Sequence, residues 1–299
     1  MPIMKRLIRN LSLRLKQAPA LRAFLKRLYH TPALKGFVTS IPIVRHVYPM
    51  ERKDPIDIQY GINTSGVMPA EVIHPNKSLN ALILPYAAAS PAVVRASLAA
   101  LGNIDDHVLI DLGCGKGRVT VLGSELPFLA IIGVELSPHL AKIAKKNANI
   151  IARNFPDRPP INIFEANATE FPFPKGNLVL FFYHAFGREL LVQLVRRLEF
   201  LLLSDVTHLF FVYDNPVCGD VLDASPTFIR WYANMLPHDP IGTNGESVRS
   251  DAVVIWQSVR DARPSPDQNR DCAIDLVDPL TAKLTVTAAG GYSLADAPA

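Results

Sequence analysis

An apolar run, Val108-Leu109-Ile110, opens directly into Asp111-Leu112-Gly113-Cys114-Gly115-Lys116-Gly117-Arg118, and this join constrains the chain more than any other stretch. A short run of Val, Leu and Ile that ends in glycine reads as a strand buried on both faces, as in parallel sheets. Glycines at alternate positions permit a tight turn into the following helix and leave main-chain N–H groups open to a ligand. Strand, glycine turn and helix together begin a Rossmann-like α/β sheet, a fold that receives its ligands at the carboxyl ends of its strands.

The spacing narrows the ligand. The glycines fall as G-x-G-x-G, whereas the dinucleotide fingerprint G-x-G-x-x-G needs glycine where Arg118 stands, so an NAD-dependent dehydrogenase is the less favoured reading. A carboxylate two residues before the first glycine, Asp111, repels a pyrophosphate and suits a cationic amino-acid group. S-adenosylmethionine carries such a group, an ammonium with a sulfonium nearby. Taken alone, a short glycine-rich run is more often a plain turn than a cofactor site.

Downstream segments supply the rest of a sheet. Ala130-Ile131-Ile132-Gly133-Val134-Glu135 reads as a second buried strand ending in a carboxylate that can accept two ribose hydroxyls. Ser137 and Pro138 then mark a helix start, cap and first position, with an apolar face through Leu140, Ile143 and Ala144. A third strand, Ile161 to Ala166, ends at Asn167-Ala168-Thr169, where a polar side chain reaches an adenine edge or simply forms a turn. The fourth, Asn177 to Tyr183, is apolar almost throughout and exits into His184-Ala185-Phe186-Gly187. Glu189 to Leu203 has the period of an amphipathic helix, Thr207 to Tyr213 reads as a fifth strand with the polar exit Asp214-Asn215-Pro216, and Ala252 to Trp256 as a last, antiparallel edge strand.

In order and spacing, the segments starting at Asp111, Glu135, Asn167 and Tyr183 resemble motifs I to IV of the class I S-adenosylmethionine-dependent methyltransferases. The glycine loop with Lys116 and Arg118, together with Gln59-Tyr60-Gly61-Ile62-Asn63-Thr64-Ser65-Gly66, is similar to an uncharacterised bacterial family distantly like the Dot1-type histone-lysine methyltransferases. The resemblance runs from Ile56 to Val259. It implies a Rossmann-like, seven-stranded, mostly parallel sheet with an antiparallel edge strand, and S-adenosylmethionine as cofactor. The cofactor residues it implies are Asp111, Gly113, Cys114, Gly115, Gly117, Glu135, Asn167 and Ala168, with Tyr60 and Thr64 on a segment folded over the cofactor as a lid. A surface turn is the plainer account of that last segment.

The sequence departs from the family at the fourth motif. Relatives carry Asn-Pro-Phe, whose asparagine aligns an amine nucleophile; here the residues are His184-Ala185-Phe186. Histidine does not copy the amide dipole, but its ordinary pKa near 6.5 suits general-base work. Tyr183 and His184 are therefore the candidate catalytic residues, with aromatic packing as the other account of His184. Cys114, between two loop glycines, reads as a space filler. The three cysteines have no C-x-x-C spacing and the eight histidines no H-x-x-x-H pair, so neither a metal nor a disulfide is expected, in keeping with a cytoplasmic protein.

Charge divides the chain. Its first fifty residues hold ten Lys and Arg and no acid, while the whole carries +4. Stripes at Met4, Leu7, Ile8, Leu11 and Leu15, and at Leu21, Phe24, Leu25 and Leu28, make this a basic amphipathic helical extension, 1–55. Such helices rest on anionic membrane surfaces, through residues 1–30 here, or pack on the protein itself; nucleic acid is the less favoured partner. A methyltransferase domain over 56–260 follows, then a Pro-rich linker and tail, 261–299, which either adds a strand around Lys283 to Thr287 or is disordered. The expected function is methyl transfer from S-adenosylmethionine to an unidentified acceptor, protein or small molecule. The alternative is a catalytically inactive S-adenosylmethionine-binding or membrane-surface protein that keeps the Rossmann core.

Overall fold

Alternating apolar strands and amphipathic helices account for the architecture. The computed structural model describes residues 54–68, 85–239 and 250–267, and the backbone of 274–276, 284–286 and 292–294. The chain divides into two units, Met1–Asp54 and Pro55–Ala299, and the expected helical stripes between Met4 and Leu28 lie outside the described residues.

In the second unit, helix α1 (Pro55–Tyr60) precedes two short antiparallel strands, β1 (Val67–Met68) and β2 (Tyr86–Ala87). Helix α2 (Pro91–Ala99) leads into β3 (His107–Leu112), α3 (Arg118–Gly123), β4 (Ala130–Glu135), α4 (Pro138–Asn154) and β5 (Ile161–Glu165). Then come β6 (Gly176–Tyr183), α5 (Arg188–Leu201), β7 (Val206–Asp214), α6 (Asp220–Asp223), β8 (Phe228–Pro237) and β9 (Ser250–Ser258). Strands β10 (Ile274–Leu276), β11 (Leu284–Val286) and β12 (Tyr292–Leu294) form a separate antiparallel sheet, with β11 inside the stretch Lys283 to Thr287.

The main sheet has seven strands in the order β5-β4-β3-β6-β7-β9-β8. Neighbours from β5 to β7 are parallel, and β9 runs antiparallel to both β7 and β8. The antiparallel pairing is thus at the expected edge, but the reversed strand containing Ala252 to Trp256 stands one place in, because the aromatic stretch Phe228–Pro237 takes the outermost position. Both faces are covered, as the apolar strands require. Ile110, Leu180, Phe182, Phe211 and Trp256 pack with Leu191, Leu194 and Leu198 of α5. Their neighbours Leu109, Val179, Phe181, Phe210 and Ile255 point the other way, onto Val93 and Leu98 of α2 and Val119 and Leu122 of α3.

From β3 the chain builds outward through β4 to β5, then returns to the other side of β3 with β6. The exits of β3 and β6 therefore diverge, and such a divergence opens a crevice in a doubly wound sheet.

Candidate functional site

A cavity of about 450 Å³ fills that crevice. Each strand exit contributes to it: Asp111 near the end of β3 and Gly113, Cys114 and Gly115 after it; Glu135 at the end of β4 and Leu136 after it; Asn167 and Ala168 after β5. On the other side are Tyr183, His184, Ala185 and Phe186 after β6, and Asn215 and Val217 after β7. Its volume lies within the range of about 300–1,000 Å³ usual for ligand sites.

The glycines are required where they stand. Gly113, Gly115 and Gly117 have φ of 78°, 55° and 81°, values that suit glycine. A Cβ on Gly113 would collide with Cβ of Ala185, and one on Gly115 with the ring of Tyr86. The loop is tied to the next strand by the N–H groups of Gly113 and Cys114, which donate to Val134 O at 2.9 and 3.0 Å. Gly117 is not in the cavity wall; it is the N-cap residue of α3, its missing Cβ facing Thr120 and Ala144.

Two carboxyls meet at this loop. Glu135, 6% exposed, accepts from Gly115 N–H and Ser137 N–H, each at 2.7 Å. Burial raises its pKa against the opposing effect of these backbone donors. Leu136 N–H is a third donor to this carboxyl, and a carboxylate has about four lone-pair positions, so capacity remains for a ligand hydroxyl. Asp111 is 3% exposed, and its Oδ2 has no hydrogen-bond partner among the described residues. Burial first, and the charge of Glu135 second, hold its carboxyl well above the ordinary carboxylate range. A buried polar atom left unpaired is costly, so the site is built to receive a donor or a cation at Asp111. Cys114 is buried, and burial together with the two carboxyls raises its thiol pKa, which keeps it a neutral space filler.

Asn167 Oδ1 accepts from Thr169 N–H at 3.1 Å and Thr169 Oγ1 at 2.9 Å, an arrangement that makes the turn and leaves the Nδ2 amide to donate. On the far wall burial pushes the Tyr183 phenol pKa up, so the group stays protonated. His184 has a φ of 37°; its Nδ1 lies 2.7 Å from Tyr213 Oη and its ring stacks on that of Tyr213. Both accounts of His184 therefore hold geometrically, since the ring is packed against aromatics and also borders the cavity.

Tyr60 and Thr64 are not in the cavity wall, contrary to expectation. Tyr60 lies one turn from Ile56 on the buried face of α1; its ring meets Phe155 edge-on at 5.4 Å and its hydroxyl donates to Glu125 at 2.8 Å. Thr64 is wholly buried and bonded to Asp57. Three polar wall residues were not anticipated as cofactor contacts: Tyr86, Arg118 and Asn215. Tyr86 arrives through the β1–β2 pairing and donates from its hydroxyl to Thr64 O at 2.5 Å. Arg118, the one Lys or Arg among the described residues lining the cavity, donates from Nη1 to Ala89 O at 3.0 Å. Asn215, at φ 56° after β7, is anchored by its N–H to Ala252 O at 2.8 Å. Among the described residues no group of three or more His, Cys, Asp or Glu is placed to hold a metal ion, and no helix is long and apolar enough to cross a membrane.

Residues 110–188, the stretch that carries most of this wall, match the family described as a methyltransferase domain. No curated protein matches the chain. Among solved structures it is similar to TrmN from Thermus thermophilus, at 16% identity and a TM-score of 0.40 over 56% of this chain and 49% of that one. It thus spans about half the length of that protein. It is also similar to precorrin-6y C5,15-methyltransferase from Geobacter metallireducens, at 19% identity and a TM-score of 0.40 over 56% and 86%. A third likeness is to an RNA methyltransferase from Salinibacter ruber in complex with S-adenosyl-L-homocysteine, at 19% identity and a TM-score of 0.35 over 58% and 94%.

Proposed function

We propose that the chain, through the methyltransferase domain matched at residues 110–188, binds S-adenosylmethionine in the cavity at the β3–β6 divergence and transfers its methyl group to an acceptor held against β6 and β7. The observation that carries this reading is Asp111: a buried carboxyl with an unpartnered oxygen, facing a loop too crowded for any side chain at Gly113 or Gly115. An ammonium supplies the missing partner, which a pyrophosphate does not.

When bound, the cofactor supplies an electrophilic methyl on a sulfonium. The protein's own residues bind, orient and exclude water. Asp111 meets the cationic amino-acid end, Glu135 accepts from the ribose hydroxyls, and Asn167 donates from Nδ2. Arg118, on the same wall, offers the charge that suits a carboxylate. Holding nucleophile and electrophile in line contributes about 7–11 kcal/mol in favourable systems, so most of the catalysis can be positional. His184 is the candidate base; to take a proton at Nε2 it must hold its own at Nδ1, where Tyr213 Oη accepts.

Residues 56–260 are in this account the catalytic domain, with 261–299 as linker and tail, acting in the cytoplasm. The basic segment 1–55 brings it to an anionic membrane surface through residues 1–30, a stronger candidate than nucleic acid. The acceptor is a protein or a small molecule. Incubation with methyl-labelled S-adenosylmethionine and fractionated lysate tests the reading: label entering one fraction, and lost with His184→Ala, supports it. Binding without label in any fraction favours the inactive cofactor-binding protein instead.

A further inference from the structure

The segment expected to cover the cofactor is tied down from behind the loop. Asp57 is 2% exposed and accepts hydrogen bonds from both Thr64 and Ser65, through backbone and side chain alike. Thr64 N–H lies 2.9 Å from each carboxylate oxygen and Thr64 Oγ1 2.5 Å from Oδ1; Ser65 N–H and Oγ lie 2.8 and 2.7 Å from Oδ2. Burial raises the carboxyl pKa, but these donors outweigh it and bring the group below the ordinary range.

The residues so held are themselves the anchor of the glycine loop. Thr64 Oγ1 accepts from Arg118 Nε at 2.8 Å, and Ser65 O accepts from the Lys116 ammonium. Asn147 of α4 closes the circuit: its Nδ2 donates to Asn63 O at 3.0 Å and Lys116 O at 2.8 Å, while its Oδ1 accepts from Asn63 N–H at 3.0 Å. On the other flank Tyr86 Oη donates to Thr64 O, which fixes the ring lying over Gly115. Both loop cations are therefore anchored behind the loop, Lys116 to Ser65 O and Arg118 through Nε and Nη1 to Thr64 Oγ1 and Ala89 O, and every member of the circuit is at least nine-tenths buried except Tyr86 and Asn63.

We infer that Asp57 is a positioning residue for the cofactor, and that the segment from Asp57 to Ser65 is a fixed brace that presets the glycine loop and the Tyr86 wall. The inference rests on the proposal that the cavity binds S-adenosylmethionine. A lid would gain its contacts only when ligand arrives; this brace makes its contacts with protein groups, and neither Asp57 nor Thr64 lines the cavity.

Amide exchange of residues 57–66 in the full chain, with and without saturating S-adenosylhomocysteine, separates the two. The brace predicts Thr64 and Ser65 amides already strongly protected without ligand and changed less than about twofold by it. Slowing of about tenfold or more on binding would overturn the inference in favour of a lid. Thr64→Val removes the hydroxyl that joins Asp57 to Arg118 and keeps the shape. It is expected to weaken S-adenosylhomocysteine about tenfold, with Thr64→Ser restoring affinity. Tyr60→Phe, on the same helix but outside the circuit, should lower melting temperature with affinity unchanged. Wild-type affinity in Thr64→Val, or equal weakening in Tyr60→Phe, overturns the positioning role. Failure of the wild type to bind at all would instead overturn the proposed cofactor.

Discussion

Alanine at Gly113 and alanine at Gly61 form a matched pair that isolates the crowding of the cofactor loop. Both glycines have left-handed backbones, φ 78° and 68°, so each substitution incurs the same conformational cost of about 1–2 kcal/mol. They differ in what the new methyl meets. At Gly61 nothing lies within 4 Å, whereas at Gly113 the methyl lands on Cβ of Ala185. Ala185 has no longer side chain to swing away, and it follows His184, itself at φ 37°, so the glycine loop or the β6 exit must move. Overpacking of this kind costs about 1–3 kcal/mol. Gly113→Ala should therefore lose about 2–5 kcal/mol in urea unfolding, Gly61→Ala only about 1–2. At roughly 2–4 °C per kcal/mol for a domain of this size, the gap should be plain in a thermal melt. Only Gly113→Ala should also weaken cofactor binding, because the displaced elements are opposite walls of the cavity. Equal losses in the two variants would refute the reasoning, since they would mean that the loop and the β6 exit do not touch.

Asp111→Asn should raise stability. The folded-state pKa of Asp111 lies well above its unfolded value, so its favourable contribution is complete below the unfolded pKa and is lost as pH rises through the folded one. Melting temperatures at pH 8 should be higher in Asp111→Asn than in wild type, and no gain there would contradict the burial argument. Asp223→Ala should cost about 3–5 kcal/mol in denaturant unfolding. It strands Arg230, whose Nε and Nη2 bond Asp223 at 2.8 and 2.6 Å in a pair with side chains 4% and 6% exposed. Near-wild-type stability would show that this pair is open to water. With the acceptor fraction found by labelling, Tyr213→Phe should slow methylation about tenfold or more and shift the pH profile, because the Nδ1 partner of His184 is gone. An unchanged profile would remove His184 from proton transfer.

Features set by neighbours in sequence were legible before the structure. The turn after β3, the acid closing β4 and the Ser137-Pro138 start of α4 depend on backbone conformations that glycine, serine and proline encode locally. The β9 position was not, because Val253 pairs with both Asp214 and Asn234, and such a choice between partners is made by long-range packing. Tyr86 stayed hidden for a related reason: only the pairing of β2 with β1 brings it to Gly115. Tyr60 was assigned to the cofactor by resemblance, although its spacing of four from Ile56 already suited the buried face of a helix. Asp57 gave no signal at all, since an acid in the first turn of a helix is ordinarily a solvated one.

The central claim, that Asp111 receives a cationic cofactor, is tested most directly by calorimetric titration of S-adenosylmethionine into wild type and Asp111→Asn across pH, in buffers of different ionisation enthalpy. The carboxyl pKa is raised in the free protein and a cation favours the ionised form, so binding should release a proton at pH values between the bound and free pKa. Wild-type affinity should then rise about tenfold per pH unit below the free-protein pKa and level off above it. Asp111→Asn should bind more weakly, release no proton at this site and show no such slope. Equal affinity and equal proton release in the two proteins would contradict the account.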